Sequence, residues 1–323
     1  MTDDAGGHDD VGAYLARLKI EVDASLARTL DALGAPSPLD AALHHALLGG
    51  GKRLRPCLTL AAAEAIGQAT GVALDEARAL ALPASCAVEM IHSYSLVHDD
   101  LPALDDDALR RGRPTTHVVF GDGLAVLAGD GLLTEAFRVL TASPAPGAQP
   151  GAPVATAARR LAAAARLAEA AGVAGMVGGQ AIDLGAAGRV RGQASAALTP
   201  AELEDMHGRK TGALIRASVT VGAIVAGADD RSVAALDDYA RELGLAFQIV
   251  DDILDVEGSD ATLGKTAGKD AAAGKPTYPA LHGLDESRRR ATACVDRAIG
   301  ALARAGASGR LGDIARWSLS RRT

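Results

Sequence analysis

The stretch EMIHSYSLVHDDLPALDDDALRRGRPTTH, residues 89–117, joins an apolar helical pattern to a dense reversal of charge. Five aspartates lie within residues 99–107, and three arginines follow at 110, 111 and 113. The apolar run leads to Asp99 and Asp100, and Pro102 disfavours continuation of the helix. The pattern therefore predicts an α-helix that ends at paired carboxylates, with Asp105 able to fold back toward the same point.

Helical patterns continue through most of the chain and predict an all-α fold. Ser37 is expected to cap one helix, and Thr199 another, where Glu202 would complete a capping box. A third helix is expected from residue 228 through FQIVDDILD (247–255). Runs dense in β-branched residues and bounded by turns are missing from the sequence, so we predict no sheet.

Length and composition favour one globular domain. The 323 residues are 48% hydrophobic, and no composition shift marks a boundary, so we expect a single domain over 1–323. Within it, residues 1–9 are expected to form a frayed tail and residues 141–153, rich in Pro, Gly and Ala, a mobile linker. A formal charge of −7 and only 2% aromatic residues argue against nucleic-acid binding.

The cysteines and the hydropathy pattern bear on location. Cys57, Cys86 and Cys294 are far apart and form no CxxC motif, which fits a reducing compartment without a disulfide framework or zinc site. Uncharged apolar runs do not reach membrane-spanning length, and the N-terminus lacks an apolar signal core. We therefore predict a cytoplasmic protein without a membrane span.

A second acidic segment, FQIVDDILD, resembles the first. Asp251 and Asp255 are four residues apart and share a helical face, which Gln248 and Gly244 extend backward. Grouped carboxylates repel each other, and a divalent cation such as Mg²⁺ would remove that cost and bridge to phosphate oxygens. Two such segments facing each other would form a diphosphate clamp; the alternative interpretation is a pair of solvated acidic helix ends.

Basic residues that could meet phosphate occur in several motifs. GGGKRLRP (49–56) fails as a P-loop because no Ser or Thr follows Lys52, yet Lys52 and Arg55 could grip a diphosphate. Further candidates are Arg110, Arg111, Lys210, Thr211, Lys265 and Lys269. His92 lies on the helical face of Asp99; this residue, like His98 and His117, could equally be a satisfied core histidine. GGQAID (178–183) puts Gln180 and Asp183 on one side of a helix, which could be simple packing.

Taken together, these motifs resemble the bacterial short-chain trans-prenyl diphosphate synthases, most closely those that make farnesyl diphosphate. The matching pieces occur in the family's order and span residues 49–270: GGGKRLRP, the 89–117 stretch, LAGDGLL, GGQAID, GRKTGAL, FQIVDDILD and ATLGKTAGKD. The resemblance implies an all-α bundle of about ten core helices around a central cavity, of the isoprenoid synthase type, usually as a homodimer. It also implies three Mg²⁺ ions and two substrates, an allylic diphosphate and isopentenyl diphosphate.

The resemblance also implies roles for individual residues. Asp99, Asp105, Asp251 and Asp255 would be metal ligands, with Asp100 and Asp252 as their support. The allylic substrate or its diphosphate would be contacted by Arg110, Lys210, Thr211, Gln248 and Lys265, and isopentenyl diphosphate would be bound by Lys52, Arg55, His92 and Arg111.

Product length is expected to depend on residues one to two turns before Asp99. The resemblance implies that Tyr94 and Ser95 would form the floor of the tail channel, and that a bulky residue such as Tyr94 favours a fifteen-carbon product, farnesyl diphosphate, over geranylgeranyl diphosphate. Two more distant alternatives remain at the level of the sequence. One is a class I terpene cyclase or head-to-head condensing enzyme, which would not need the isopentenyl pocket. The other is a non-catalytic synthase subunit, in which an aspartate segment is usually damaged.

Overall fold

The computed structural model describes residues 5–192, 194–196, 198–257, 277–307 and 309–321. These residues are mainly α-helical, as predicted. The helices are α1 (Ala5–Asp31), α2 (Ser37–Leu47), α3 (Leu54–Thr70), α4 (Leu74–Asp99), α5 (Thr116–Phe120), α6 (Asp122–Thr141), α7 (Ala157–Ala171), α8 (Met176–Ala186), α9 (Pro200–His207), α10 (Ala213–Ala226), α11 (Asp230–Glu257), α12 (Tyr278–His282), α13 (Leu284–Arg304) and α14 (Leu311–Ser320).

One short hairpin departs from the prediction of no sheet. Strands β1 (Leu109–Arg110) and β2 (Arg113–Pro114) pair antiparallel, with Arg110 opposite Arg113. The two residues between them, Arg111 and Gly112, have φ values of 53° and 74°. Positive φ at both central residues is the geometry that closes a two-residue hairpin with the twist of its strands. Arg110 and Arg111 therefore lie in a hairpin.

Helix starts were predicted with mixed success. Thr199 forms the full capping box, since its Oγ1 accepts from the Glu202 N–H and the Glu202 carboxylate accepts from the Thr199 N–H at 2.8 Å. The prediction for Ser37 is wrong, because Pro36 is the N-cap and Ser37 is already helical and makes no capping bond. Helix α1 begins at Ala5, inside the stretch predicted as a tail.

The core lies where α4 packs on α3 and α6, and where α10 packs on α3, α7 and α11. Small buried residues allow these helices to approach closely. Gly222 on α10 faces the backbone of α3, and a Cβ added there would lie 2.1 Å from the Thr59 carbonyl oxygen. The long helices α4 and α11, which carry the two aspartate segments, both pack against α10 and are thereby held in the same bundle.

The Gly222 contact gives a stability prediction. Gly222→Ala should lower the free energy of unfolding by about 1–2 kcal/mol, because overpacking against α3 outweighs the gain in helix propensity. The matched control is Gly300→Ala in α13, where an added Cβ meets nothing within 4 Å. That variant should be more stable than the parent by about 0.5–1 kcal/mol. Urea denaturation measures the free energy of unfolding of both variants. Equal stabilities would contradict the close packing of Gly222 against α3.

Two helical stretches, Leu74–Asp99 and Ala157–Ala186, are long and apolar enough to cross a membrane by length and composition. The apolar window of the first is 67% buried inside the protein, and that of the second is 39% buried. The second is also interrupted by turn residues 172–175, between α7 and α8. The apolar character of α4 therefore matches its place in the core of a helical bundle.

Candidate active site

The first aspartate segment folds as its sequence predicted. Asp99 is the last residue of α4, and the Asp105 N–H donates to the Asp99 carbonyl oxygen at 2.8 Å, so the loop returns to the helix end. Asp100 is 4% exposed and accepts from Arg110 Nε at 2.8 and 2.9 Å through its two oxygens. Arg110 is thus held by Asp100 within the same segment as Asp99 and Asp105.

Asp99 is the carboxylate of this segment whose pKa is raised the most. Its side chain is partly buried and forms no hydrogen bond or ion pair with the part of the chain that the structure describes. Burial raises the pKa of Asp99 to about 6; nearby Lys210 opposes the rise, and Asp105 adds to it. A cation bound between Asp99 and Asp105 would relieve both the burial and the repulsion.

The second segment splits into a buried and an exposed aspartate on α11. Asp252 is 5% exposed and accepts from Gln248 Nε2 and from the Tyr278 N–H, both at 2.9 Å. Asp251 has a side chain that is 58% exposed, and its Oδ1 accepts from Arg321 Nη2 at 2.6 Å. Gln248 therefore contacts the supporting aspartate, whereas Asp251 lies at the surface and is paired with Arg321, one turn before the partly buried Asp255.

Lys210 lies in a π-helical turn, Gly208–Gly212, between α9 and α10. Its Nζ donates to Asp183 Oδ2 at 2.6 Å, and Thr211 occupies the same turn. A Cβ on Gly179 would lie 2.3 Å from the backbone nitrogen of Lys210, so the glycine permits α8 to approach this turn. The sequence placed Asp183 on the correct side of α8 but did not identify it as the partner of Lys210.

A basic cluster lies at the start of α3 and against α4. Arg55 Nη1 is 3.3 Å from His92 Nε2, and Arg111 Nη1 donates to the Gly50 carbonyl oxygen at 2.5 Å. Among the described residues, neither arginine forms an ion pair with a carboxylate. Burial, and then the charges of Arg55 and Arg111, lower the pKa of His92 well below its usual range. His92 is therefore neutral, and its Nε2 accepts from Arg55.

The loop before α3 accommodates this cluster. A Cβ on Gly51 would lie 2.1 Å from Arg111 Nη1, so Gly51 leaves room for the guanidinium. Lys52 follows it, and the charge of Asp251 is close enough to act on the pKa of Lys52, although burial lowers that pKa overall. The same carboxylate acts on Arg55, whose pKa is lowered chiefly by burial. These couplings place the basic cluster near the second aspartate segment.

The remaining predicted residues have the following places. Tyr94 is 6% exposed and contacts His98 edge to face, with ring centroids 5.8 Å apart. Ser95 Oγ donates to the His92 carbonyl oxygen at 2.8 Å. His98 and His117 bond to backbone oxygens, as the interpretation of satisfied core histidines expected. Lys265 and Lys269 lie outside the described residues.

The sequence analysis did not identify three arginines near the site, of which Arg189 lies 4.0 Å from Asp105 Oδ1. Arg53 is buried and donates to Asp23 at 2.8 Å and to Glu89 at 2.6 Å, so it supports the loop that carries Lys52. Arg321, at the end of α14, contacts Asp251 and lies 4.4 Å above the Phe247 ring. Arg53 stands inside the quoted motif GGGKRLRP, but no local pattern connects Arg321 to a residue 70 positions earlier.

The oxygen donors fit a divalent cation that is shared with phosphate. In the part of the chain that the structure describes, no three His, Cys, Asp or Glu side chains converge as a complete metal cage. Mg²⁺ commonly uses one or two carboxylates and completes its shell with water and phosphate oxygens. The pair of Asp99 and Asp105, with hard oxygens and a desolvated carboxylate, matches that kind of site.

Comparisons with known proteins agree on one family. Residues 36–308 match the family model described as polyprenyl synthetase. The farnesyl diphosphate synthase of Geobacillus stearothermophilus is 43% identical over 280 residues, which is 87% of each chain. Geranylgeranyl pyrophosphate synthase 7 of Arabidopsis thaliana is 44% identical over 281 residues, covering 87% of this chain and 75% of that protein. The apo crystal structure of an FPP/GFPP synthase from Zymomonas mobilis superposes with a TM-score of 0.75 at 34% identity, covering 97% of this chain and 98% of the other.

Proposed function

The chain belongs to the polyprenyl synthetase family, and from this membership we propose its reaction: head-to-tail condensation of isopentenyl diphosphate with an allylic diphosphate by a trans-prenyl diphosphate synthase. The allylic substrates are dimethylallyl and geranyl diphosphate, and the main product is farnesyl diphosphate. The family implies a divalent metal, which we propose to be Mg²⁺, with three ions bound alongside the substrates.

The observation that carries this proposal is the presence of two different kinds of anion site. Asp99 and Asp105 offer carboxylates for a metal-bridged diphosphate, whereas Arg55 and Arg111 offer direct cationic contacts beside the neutral His92. Condensation needs two diphosphate substrates held at once. A terpene cyclase takes a single prenyl diphosphate and would not need the second, basic site.

The proposed reaction requires the negative charge of the leaving diphosphate to be stabilised and water to be excluded. Bound divalent cations would neutralise the growing charge on the leaving diphosphate. Lys210 and Arg110, each fixed by an aspartate, add cationic charge at the same end of α4. Lys52, Arg55, His92 and Arg111 would hold isopentenyl diphosphate so that its double bond lies near the allylic carbon. The allylic C–O bond breaks, a C–C bond forms, and a proton passes to the released diphosphate.

Other side chains would protect the allylic cation or contact its diphosphate. Thr211 and Gln248 lie on the elements that carry Lys210 and Asp251, and Lys265 is proposed to contact the same diphosphate. The apolar wall of α4 would exclude water from the cation.

We also propose a homodimer in the cytoplasm. An exposed apolar surface on α5 and α6 is formed by Val118, Val119, Val126 and Leu127, which are 40–53% exposed. Apolar patches of this kind suit a second copy of the chain. All three cysteines are free and buried, which suits a reducing compartment.

Product length gives the next prediction. Tyr94→Ala should shift the main product from fifteen to twenty or more carbons, because removal of the phenol ring deepens the tail channel below Asp99. The measurement is chromatography of the dephosphorylated products. Tyr94→Phe keeps the bulk of the ring and should leave the product unchanged. An unchanged product from Tyr94→Ala would reject this residue as the floor, and twenty-carbon material from the parent would favour the geranylgeranyl alternative.

The function itself is tested with labelled dimethylallyl diphosphate, isopentenyl diphosphate and Mg²⁺. Chain extension to a linear prenyl diphosphate is the expected result, and chelation of the metal should abolish it. Release of a cyclic hydrocarbon without extension would contradict the proposal in favour of a cyclase. A folded protein that extends nothing alone but alters the product of another synthase would identify a non-catalytic subunit.

A further inference from the structure

Arg321 is held at the second aspartate segment by three contacts. Its Nη2 donates to Asp251 Oδ1 at 2.6 Å and to the Phe247 carbonyl oxygen at 2.9 Å. Its guanidinium lies 4.4 Å from the centroid of the Phe247 ring. The Arg321 side chain is only 7% exposed, although it is the residue immediately after α14. Arg321 therefore has a defined position against Asp251, a proposed metal ligand.

A divalent cation and this guanidinium cannot both be accommodated well at Asp251. A metal ion bound to the same carboxylate would lie within a few ångströms of the Arg321 charge, where like charges repel strongly. Arg321 would keep its other two contacts if it left the carboxylate, since the Phe247 ring and carbonyl oxygen do not depend on Asp251. One of the three contacts can thus be lost without release of the whole side chain.

We propose that Arg321 is a built-in counter-ion of Asp251, which occupies this carboxylate in the metal-free protein and is displaced when a divalent cation binds. The inference rests on the proposed function, because it needs Asp251 to be a metal ligand. Its consequence is that metal binding at the second aspartate segment is coupled to the position of the Arg321 side chain. Metal affinity at this segment is then lower than Asp251 alone would give.

The test is direct binding of Mn²⁺, followed by electron paramagnetic resonance without substrates. Arg321→Met removes the charge but keeps an apolar contact for Phe247, and it should bind Mn²⁺ about fivefold more tightly, which is the scale of one partly exposed ion pair. The matched control is Arg316→Met, on helix α14. Arg316 pairs with Asp313, which has no proposed role in binding metal or substrate. The control should bind as the parent does. Equal affinities of the parent and Arg321→Met would overturn the proposal.

Variants of Asp251 separate this inference from the proposed function. Asp251→Asn should weaken Mn²⁺ binding, and adding Arg321→Met to it should have no further effect, because the shared carboxylate is gone. A gain from Arg321→Met that persists beside Asp251→Asn would overturn the counter-ion role alone. Unchanged Mn²⁺ binding in Asp251→Asn would remove Asp251 from the proposed metal ligands, and the inference with it.

The single tryptophan of the chain supplies a second measurement. Trp317 lies on α14, four residues before Arg321, and packs partly buried against the core. Mg²⁺ should change its fluorescence in the parent protein, because loss of the contact with Asp251 moves the Arg321 charge, which lies four residues from Trp317 along the chain. The change should be absent in Arg321→Met, where the contact with Asp251 is already lost. An identical response in both proteins would contradict the coupling.

Discussion

Asp99→Ala is expected to lower kcat by about 10³-fold, the upper range for removing one group that stabilises transition-state charge. Asp99 ends α4, is partly buried and has its pKa raised to about 6 by burial. The substitution removes the carboxylate that gains most from a bound cation. Because this carboxylate has no partner among the described residues, its loss should not reduce the stability of the metal-free protein.

The control for this prediction lies in the same loop. Asp106 has a φ of 55°, a conformation that Asn also tolerates, and it is not a predicted ligand. Asp106→Asn should keep kcat within about threefold of the parent, because Asp106 is exposed and is not a proposed ligand, and Asn keeps its size. Steady-state turnover with both five-carbon substrates, together with thermal unfolding, measures both variants. Near-normal turnover by a folded Asp99→Ala protein would reject the metal assignment.

Lys210→Met is expected to lower kcat by about 10²-fold, with a smaller change in KM. Lys210 Nζ is fixed by Asp183 at 2.6 Å, and its charge is close enough to act on the pKa of Asp99. A cation held in this position stabilises the departing diphosphate more than it stabilises the bound substrate. Single-turnover kinetics with geranyl and isopentenyl diphosphate would separate the chemical step from product release.

A second variant shows whether Lys210 acts through charge or through folding. Lys210→Met alone removes the cationic partner that donates to the partly buried Asp183 carboxylate, which costs stability. The double variant Lys210→Met/Asp183→Asn removes that carboxylate charge, so it should regain stability without regaining turnover. Recovery of kcat in the double variant would show that Lys210 is only a structural partner of Asp183.

The sequence predicted those features that depend on neighbouring residues. The apolar run, Asp99 and Pro102 were enough to place a helix end, and Asp105 does return to it. The Thr199 capping box is likewise a local pattern. The cap at Ser37 was predicted wrongly: in the structure the helix begins one residue earlier than expected, with Pro36 as the N-cap and Ser37 as its first residue.

Features that join distant parts of the chain were not predictable in this way. Arg321 reaches Asp251 across 70 positions, and Arg53 reaches Glu89 across 36. These ion pairs depend on how α14, α11, α3 and α4 pack, which periodicity within one helix does not specify. The hairpin at residues 109–114 was missed because its strands are two residues each, too short for an alternating pattern.

The π-helical turn at Gly208–Gly212 limits where residues can be inserted into or deleted from this protein. Loss of one residue there would restore ordinary α-helical winding and rotate Lys210 relative to α10 by about 100°. Since α10 is clamped between α3, α7 and α11, the rotation would fall on Lys210 and swing its amine away from Asp183. Insertions and deletions in natural variants should therefore collect in the segment between α8 and α9 and spare these five residues.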